Sequence, residues 1–133
     1  MSLVVVHAGE SASSRTRALA IAALDLGGPG ELVELALLPA EGLLGRAADP
    51  AVEAAVQAAQ AASTLVLASP VYRATVSGAM KAFLDRFPPG ALAGTAVVLA
   101  ATAAVRELVE TGEVASTPVT RLVQDPTDIV DPA

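Results

Sequence analysis

Three stretches of this chain are apolar almost from end to end: LVVVHA at Leu3–Ala8, TLVLA at Thr64–Ala68 and TAVVLAA at Thr95–Ala101. A strand with one wet face alternates apolar and polar residues, because successive side chains point to opposite sides of the sheet. Runs that lack this alternation are strands covered on both faces, the habit of parallel sheets flanked by helices. The intervening segments agree. Ser14 precedes RTRALAIAALDLGG, in which Leu19, Ala22, Ala23 and Leu26 share one helical face and Gly27-Gly28 supply a stop. Asp49-Pro50 opens a second helix, AVEAAVQAAQAA, whose alanines permit close approach to a sheet. In Gly78–Phe87 the residues Met80, Phe83, Leu84 and Phe87 recur at i, i+3, i+4 and i+7, an amphipathic stripe ended by Pro88-Pro89-Gly90. Glu31–Leu38 (ELVELALL) is the remaining strand candidate, second in chain order, although Leu, Glu and Ala also favour helix.

This alternation of strand and helix predicts a single α/β domain over residues 1–133, a parallel sheet with helices on both faces. A short helix is expected at Ala103–Thr111, an edge strand within Val114–Val123, and a frayed acidic tail over residues 124–133. Aromatic residues are only 2% of the chain, so the core must be built from Val, Leu, Ile and Ala. A net charge of −6 with eight Lys and Arg argues against a nucleic-acid partner, which needs a clustered basic face. With no Cys, thiolate catalysis and disulfides are excluded; with one His, no metal site is expected. The charge-free stretches Ala54–Tyr72 and Phe87–Val105 are interrupted by Gln, Ser, Pro and Gly, and read as turns, helix and strand rather than membrane spans. MSLVVVHAG has neither the basic segment nor the cleavage site of a signal peptide, so a soluble, cytoplasmic protein is expected.

Ligands of open parallel sheets sit beyond the carboxyl ends of the strands. Three loops leave those ends: Gly9–Ser14, Ser69–Ser77 and Thr102–Ala104. The first carries Ser11, Ser13, Ser14 and Thr16 at a helix start, with Arg15 and Arg17 beside them. Hydroxyls and free amides at a helix N-terminus suit a phosphate, yet Ser13 or Ser14 as a plain helix cap explains the same pattern. Neither G-x-x-x-x-G-K-[ST] nor G-x-G-x-x-G occurs, which removes the Walker and dinucleotide loops. His7 falls within the first strand and reads as a hydrogen-bonded structural residue; Lys81 and Asp85 read as a surface pair at i, i+4.

Two segments carry a resemblance. GESASSRT (Gly9–Thr16) and SPVY (Ser69–Tyr72), the latter followed by Gly78, Lys81, Leu84 and Asp85 in the spacing G-x-x-K-x-x-[LI]-D, resemble the NADPH-dependent FMN reductase family of flavodoxin-like proteins. The resemblance covers roughly residues 3–101 and implies a doubly wound three-layer sandwich of strand order 2-1-3-4, the fifth strand short or absent. It implies FMN as cofactor and NAD(P)H as co-substrate, with hydride passing from nicotinamide to flavin. Carried over by position, Ser11, Ser13, Ser14, Arg15 and Thr16 would hold the FMN phosphate. Pro70, Val71, Tyr72 and Arg73 would lie against the ring and ribityl chain, and Thr75 at the flavin edge. A homodimer or homotetramer would form through the 78–87 helix. Where the family shows Thr-Gly-Gly after the fourth strand, this chain has Thr102-Ala103-Ala104, keeping only the threonine; its C-terminal part is also shorter. A non-catalytic flavodoxin-like module, pairing with its own copy or binding flavin weakly, is the alternative expectation.

Overall fold

The computed structural model describes residues 2–103. In chain order they form β1 (Leu3–His7), α1 (Arg15–Gly27), β2 (Gly30–Glu34), a 3₁₀ turn (Leu35–Leu37), α2 (Ala40–Leu43), α3 (Pro50–Ala61), β3 (Thr64–Tyr72), β4 (Thr75–Val76), α4 (Gly78–Leu84) and β5 (Ala96–Thr102). Strands β2, β1, β3 and β5 lie side by side in parallel, and β4 folds back antiparallel on the end of β3. This is the expected order 2-1-3-4, with β5 as the fourth long strand and β4 as a hairpin added to the third.

The unbroken apolar runs are explained by two cores, one on each face. Val4, Val6, Leu65 and Leu67 point toward α3 and α4, where they meet Val52, Val56, Ala59, Met80 and Phe83. Their neighbours Val5, Val66 and Ala68 point to the opposite face and meet Ala20, Ala23 and Leu24 of α1. Alanines along the inner faces of α1 and α3 let both helices sit close to the strands. The caps are those the sequence suggests. Ser14 and Asp49 accept from first-turn amides of α1 and α3, and Gly28 ends α1 at φ +88°, a conformation costly for any residue with a Cβ.

Three boundaries and one element differ from expectation. The second strand stops at Glu34, where Leu35–Leu37 turn into 3₁₀ geometry and bury Leu35 under α4; propensity in ELVELALL could not locate that break. The third strand runs on to Tyr72 instead of ending at Ala68. The helix at Gly78 ends at Leu84, and Phe87 stays on the stripe as a neighbour, its ring edge-on to Phe83 at 5.2 Å between centroids. The turn of helix at Ala40–Leu43 has no apolar period long enough to announce it. The expected helix at 103–111, edge strand and tail lie outside the described residues.

Candidate functional site

The strand order reverses direction between β1 and β3, since β2 lies outside β1 and β5 lies outside β3. The carboxyl ends at this switch are adjacent: His7 stands opposite Ala68, Pro70 opposite Thr102, and the Ala8 amide donates to the Ala68 carbonyl at 3.0 Å. The loops that follow β1 and β3 therefore share one rim with the end of β5, the position where such sheets take ligands.

The loop after β1 folds back on itself. The Ser14 amide donates to the Ser11 carbonyl at 3.1 Å, the Ser11 and Ser13 hydroxyls lie 3.3 Å apart, and Ser14 Oγ accepts from the Arg17 amide at 3.3 Å. A Cβ at Gly9 would collide with the Ser14 hydroxyl, so the return passes only over glycine. Ser14 is thus the helix cap, as the plainer reading of the loop had it. The Arg15 and Thr16 amides find no protein acceptor among the described residues, and they open a helix of 13 residues. Such amides, with the positive end of the helix dipole, favour an anion. Ser11, Ser13 and Arg15 are exposed around them, whereas Thr16 is buried. Its hydroxyl lies 2.6 Å from that of Thr102 at the end of β5, joining the first turn of α1 to the last residue of β5.

The stretch after Ala68 is a hairpin rather than an irregular loop. Val71 pairs with Val76 and Tyr72 with Thr75, leaving Arg73 and Ala74 as a two-residue turn at φ +53° and +65°. Both φ values are those of a type I′ turn, which matches strand twist but normally carries Asn-Gly. Its base is fastened by Ser69, whose hydroxyl accepts from the Ser77 amide and donates to the Pro70 carbonyl, both at 2.9 Å. Pro70 and Val71 are half-buried, and Tyr72, Arg73 and Thr75 are exposed at the tip. Tyr72 is therefore not a core residue.

One cluster was not visible in the sequence. Glu34, the last residue of β2, receives Arg17 Nε at 2.7 Å and His7 Nε2 at 3.2 Å on the same carboxylate oxygen. The Arg17 hydrogen bond holds its carboxyl below the usual range against an opposing push from burial, and the His7 bond acts in the same direction as Arg17. A carboxylate closing an apolar strand was the available sign. Only the folded register brings it to His7, its direct partner across the β1–β2 ladder. Two open grooves of about 490 Å³ each run along α3 and beneath the start of β1, and among the described residues neither is lined by the loops after β1 and β3 or by the end of β5. Among the described residues no cluster of His, Cys, Asp or Glu has a metal-holding arrangement, and no helix is long and apolar enough to cross a membrane.

Sheet, switch point and hydroxyl-lined helix start define a doubly wound α/β protein, a class whose ligands sit at the carboxyl rim of the sheet. The sequence profile of the NADPH-dependent FMN reductase family matches residues 1–119, and the chain belongs to that family. It is similar to the FMN reductase (NADPH) of Escherichia coli K12, with 41% identity over 64 residues, 48% of this chain and 34% of that protein. The match thus spans about a third of the curated relative. Among solved structures, an NADH:FMN oxidoreductase in its apo form aligns with a TM-score of 0.74 and 29% identity, covering 98% of this chain and 68% of that one. An oxidoreductase from Corynebacterium diphtheriae aligns at 0.67 and 32% identity, covering 81% and 68%.

Proposed function

We propose that this protein is an NAD(P)H-dependent FMN reductase working in the cytoplasm. The observation that carries the reading is the single rim: the anion-binding start of α1 and the β3–β4 hairpin lie side by side, as a phosphate tail and a flat ring require. The residues present fit FMN. Two amides without a protein acceptor among the described residues, at Arg15 and Thr16, and the exposed hydroxyls of Ser11 and Ser13 suit its phosphate. The half-buried Pro70–Val71 backbone offers an apolar wall, with Tyr72, Arg73 and Thr75 exposed beyond it and Thr102 beside Pro70 on the neighbouring strand.

FMN held there would supply the two-electron acceptor for the hydride of the nicotinamide. The protein's own part is orientation. Ser14 fixes the pitch of the first turn of α1, so that the Arg15 and Thr16 amides point together. Arg15 adds positive charge at that turn, and Ser13 offers a hydroxyl beside it. The hairpin, fastened by Ser69, holds the ring-facing backbone still. No side-chain acid is required for hydride transfer itself, which agrees with a rim of hydroxyls, amides and arginines.

In the assembled protein, copies pair through the 78–87 helix as a homodimer or homotetramer. Because Met80 and Phe83 are spent on the core, the pairing surface is the outer side of α4 together with the exposed Tyr72 and Val76 of the hairpin. The alternative, a non-catalytic or weakly flavin-binding module, draws on Thr102-Ala103-Ala104, where alanines stand at the two positions the family resemblance assigns to glycine.

Titrating FMN into the protein and following NADPH oxidation separates the two. Tight FMN binding with turnover is expected; colourless protein that neither quenches flavin fluorescence nor consumes NADPH overturns the enzyme reading. Ser13→Ala combined with Arg15→Ala should weaken FMN about tenfold or more while leaving riboflavin nearly unchanged, because only FMN carries the charge these groups meet. Equal losses would place the anion site elsewhere.

A further inference from the structure

His7 is the chain's one histidine, it is 1% exposed, and hydride transfer makes no use of it. Its two ring nitrogens have unlike partners. Nδ1 lies 3.1 Å from the amide of Gly9, and a backbone N–H can only donate. Nδ1 is therefore the bare acceptor, Nε2 carries the proton, and that proton goes to Glu34 Oε1 at 3.2 Å. The same oxygen takes Arg17 Nε at 2.7 Å, so one carboxylate on β2 fixes both the tautomer of His7 and the side chain of Arg17 in the first turn of α1.

Gly9 is the residue that lets the loop return over Ser14. Its amide is thus the point from which the loop's path is set. An imidazole protonated at Nδ1 would face the Gly9 N–H donor to donor and release it.

We propose that His7 is a positioning residue for the anion loop: by accepting from the Gly9 amide it fixes the loop's course, and thereby the protein's preference for the phosphorylated flavin over riboflavin. This rests on the reading of Gly9–Thr16 as the FMN phosphate site. The same network assigns Glu34 as the group that holds His7 in the acceptor tautomer.

The two amides of similar shape separate this role from plain core filling. Asn can place an oxygen where Nδ1 stands, keeping the Gly9 bond and losing the Glu34 bond. Gln can reach Glu34 but leaves the Gly9 amide unpartnered. In full-length protein, His7→Gln should lose FMN affinity about tenfold, the scale of one buried donor left unmet, with riboflavin affinity unchanged. His7→Asn should stay within about threefold of wild type for both ligands, a gap too small to represent a lost buried hydrogen bond. Equal losses for Asn and Gln, or equal losses for FMN and riboflavin, overturn the proposal while the phosphate site stands. Wild-type protein with no preference for FMN overturns the phosphate site, and the proposal with it.

A measurement on wild-type protein needs no variant to fold. With a single histidine, the imidazole ¹⁵N resonances belong to His7 without ambiguity, and they should report Nδ1 bare and Nε2 protonated at neutral pH, with and without FMN. The reverse tautomer, or a doubly protonated ring, overturns the assignment.

Discussion

Glu34 gathers two donors from two other elements onto one oxygen, and that concentration makes it sensitive to acid. Its carboxyl titrates below the usual value in the folded protein, first because Arg17 donates to it and then because His7 does, with burial opposing both. A carboxyl depressed on folding contributes stability above its unfolded value and loses it as pH falls through the folded one. Glu34→Gln should therefore flatten the stability profile below about pH 4.5, where the wild type declines. Urea midpoints measured between neutral pH and pH 3 check this; parallel profiles would refute it. The Thr16–Thr102 hydroxyl pair predicts differently. Replacing Thr102 with Val strands the buried Thr16 hydroxyl, at a cost of about 1–2 kcal/mol, whereas the double valine variant should cost less than the two single changes summed. Denaturant melts of the four proteins form the cycle, and strict additivity would mean that the hydroxyls do not act together.

Among the elements, the β3–β4 hairpin is held in a conformation its residues do not favour. Arg73 and Ala74 both sit at positive φ, where a Cβ costs roughly 1 kcal/mol each. Substituting Asn-Gly at these two positions should raise stability by about 1 kcal/mol in thermal or urea unfolding, since that pair suits the turn. No gain would show that the surrounding structure already relieves the strain. The same hairpin marks where the sequence became illegible. Ser69–Ser77 reads as a loop because Pro70 interrupts the pattern and Arg73-Ala74 carries none of the usual turn residues. The apolar runs at β1, β3 and β5 were legible because both faces are buried and no competing pattern fits. The caps Ser14 and Asp49, and Gly28 at the end of α1, were legible because their chemistry is local. The Glu34 cluster and the Thr16–Thr102 bond were not, since each joins residues far apart in sequence and depends on strand register.

At the scale of the molecule, one face of the sheet carries most of the large buried side chains. Met80 and Phe83 enter the same cluster as Val56, Leu65 and Leu67, while the α1 face is filled with smaller residues. Phe83→Ala should cost about 3–5 kcal/mol and lower the unfolding midpoint sharply, because in so aliphatic a core few neighbours are large enough to fill the gap. A change under about 1 kcal/mol would mean that the site collapses readily. The apolar stripe that suggested a pairing helix thus serves the monomer first. Light scattering on the purified protein should still give a dimer or tetramer, and Tyr72→Asp at the hairpin tip should shift it toward monomer; unchanged mass would move the contact elsewhere.

The bond between Thr16 and Thr102 spans 86 positions of chain. During synthesis β1, α1, β2 and β3 all emerge before its second half exists, so a nascent chain can assemble most of both cores while the start of α1 still lacks its tether. Closure of the rim is consequently a late event, and a ribosome-bound chain halted before Thr102 should hold structured helices without the finished rim.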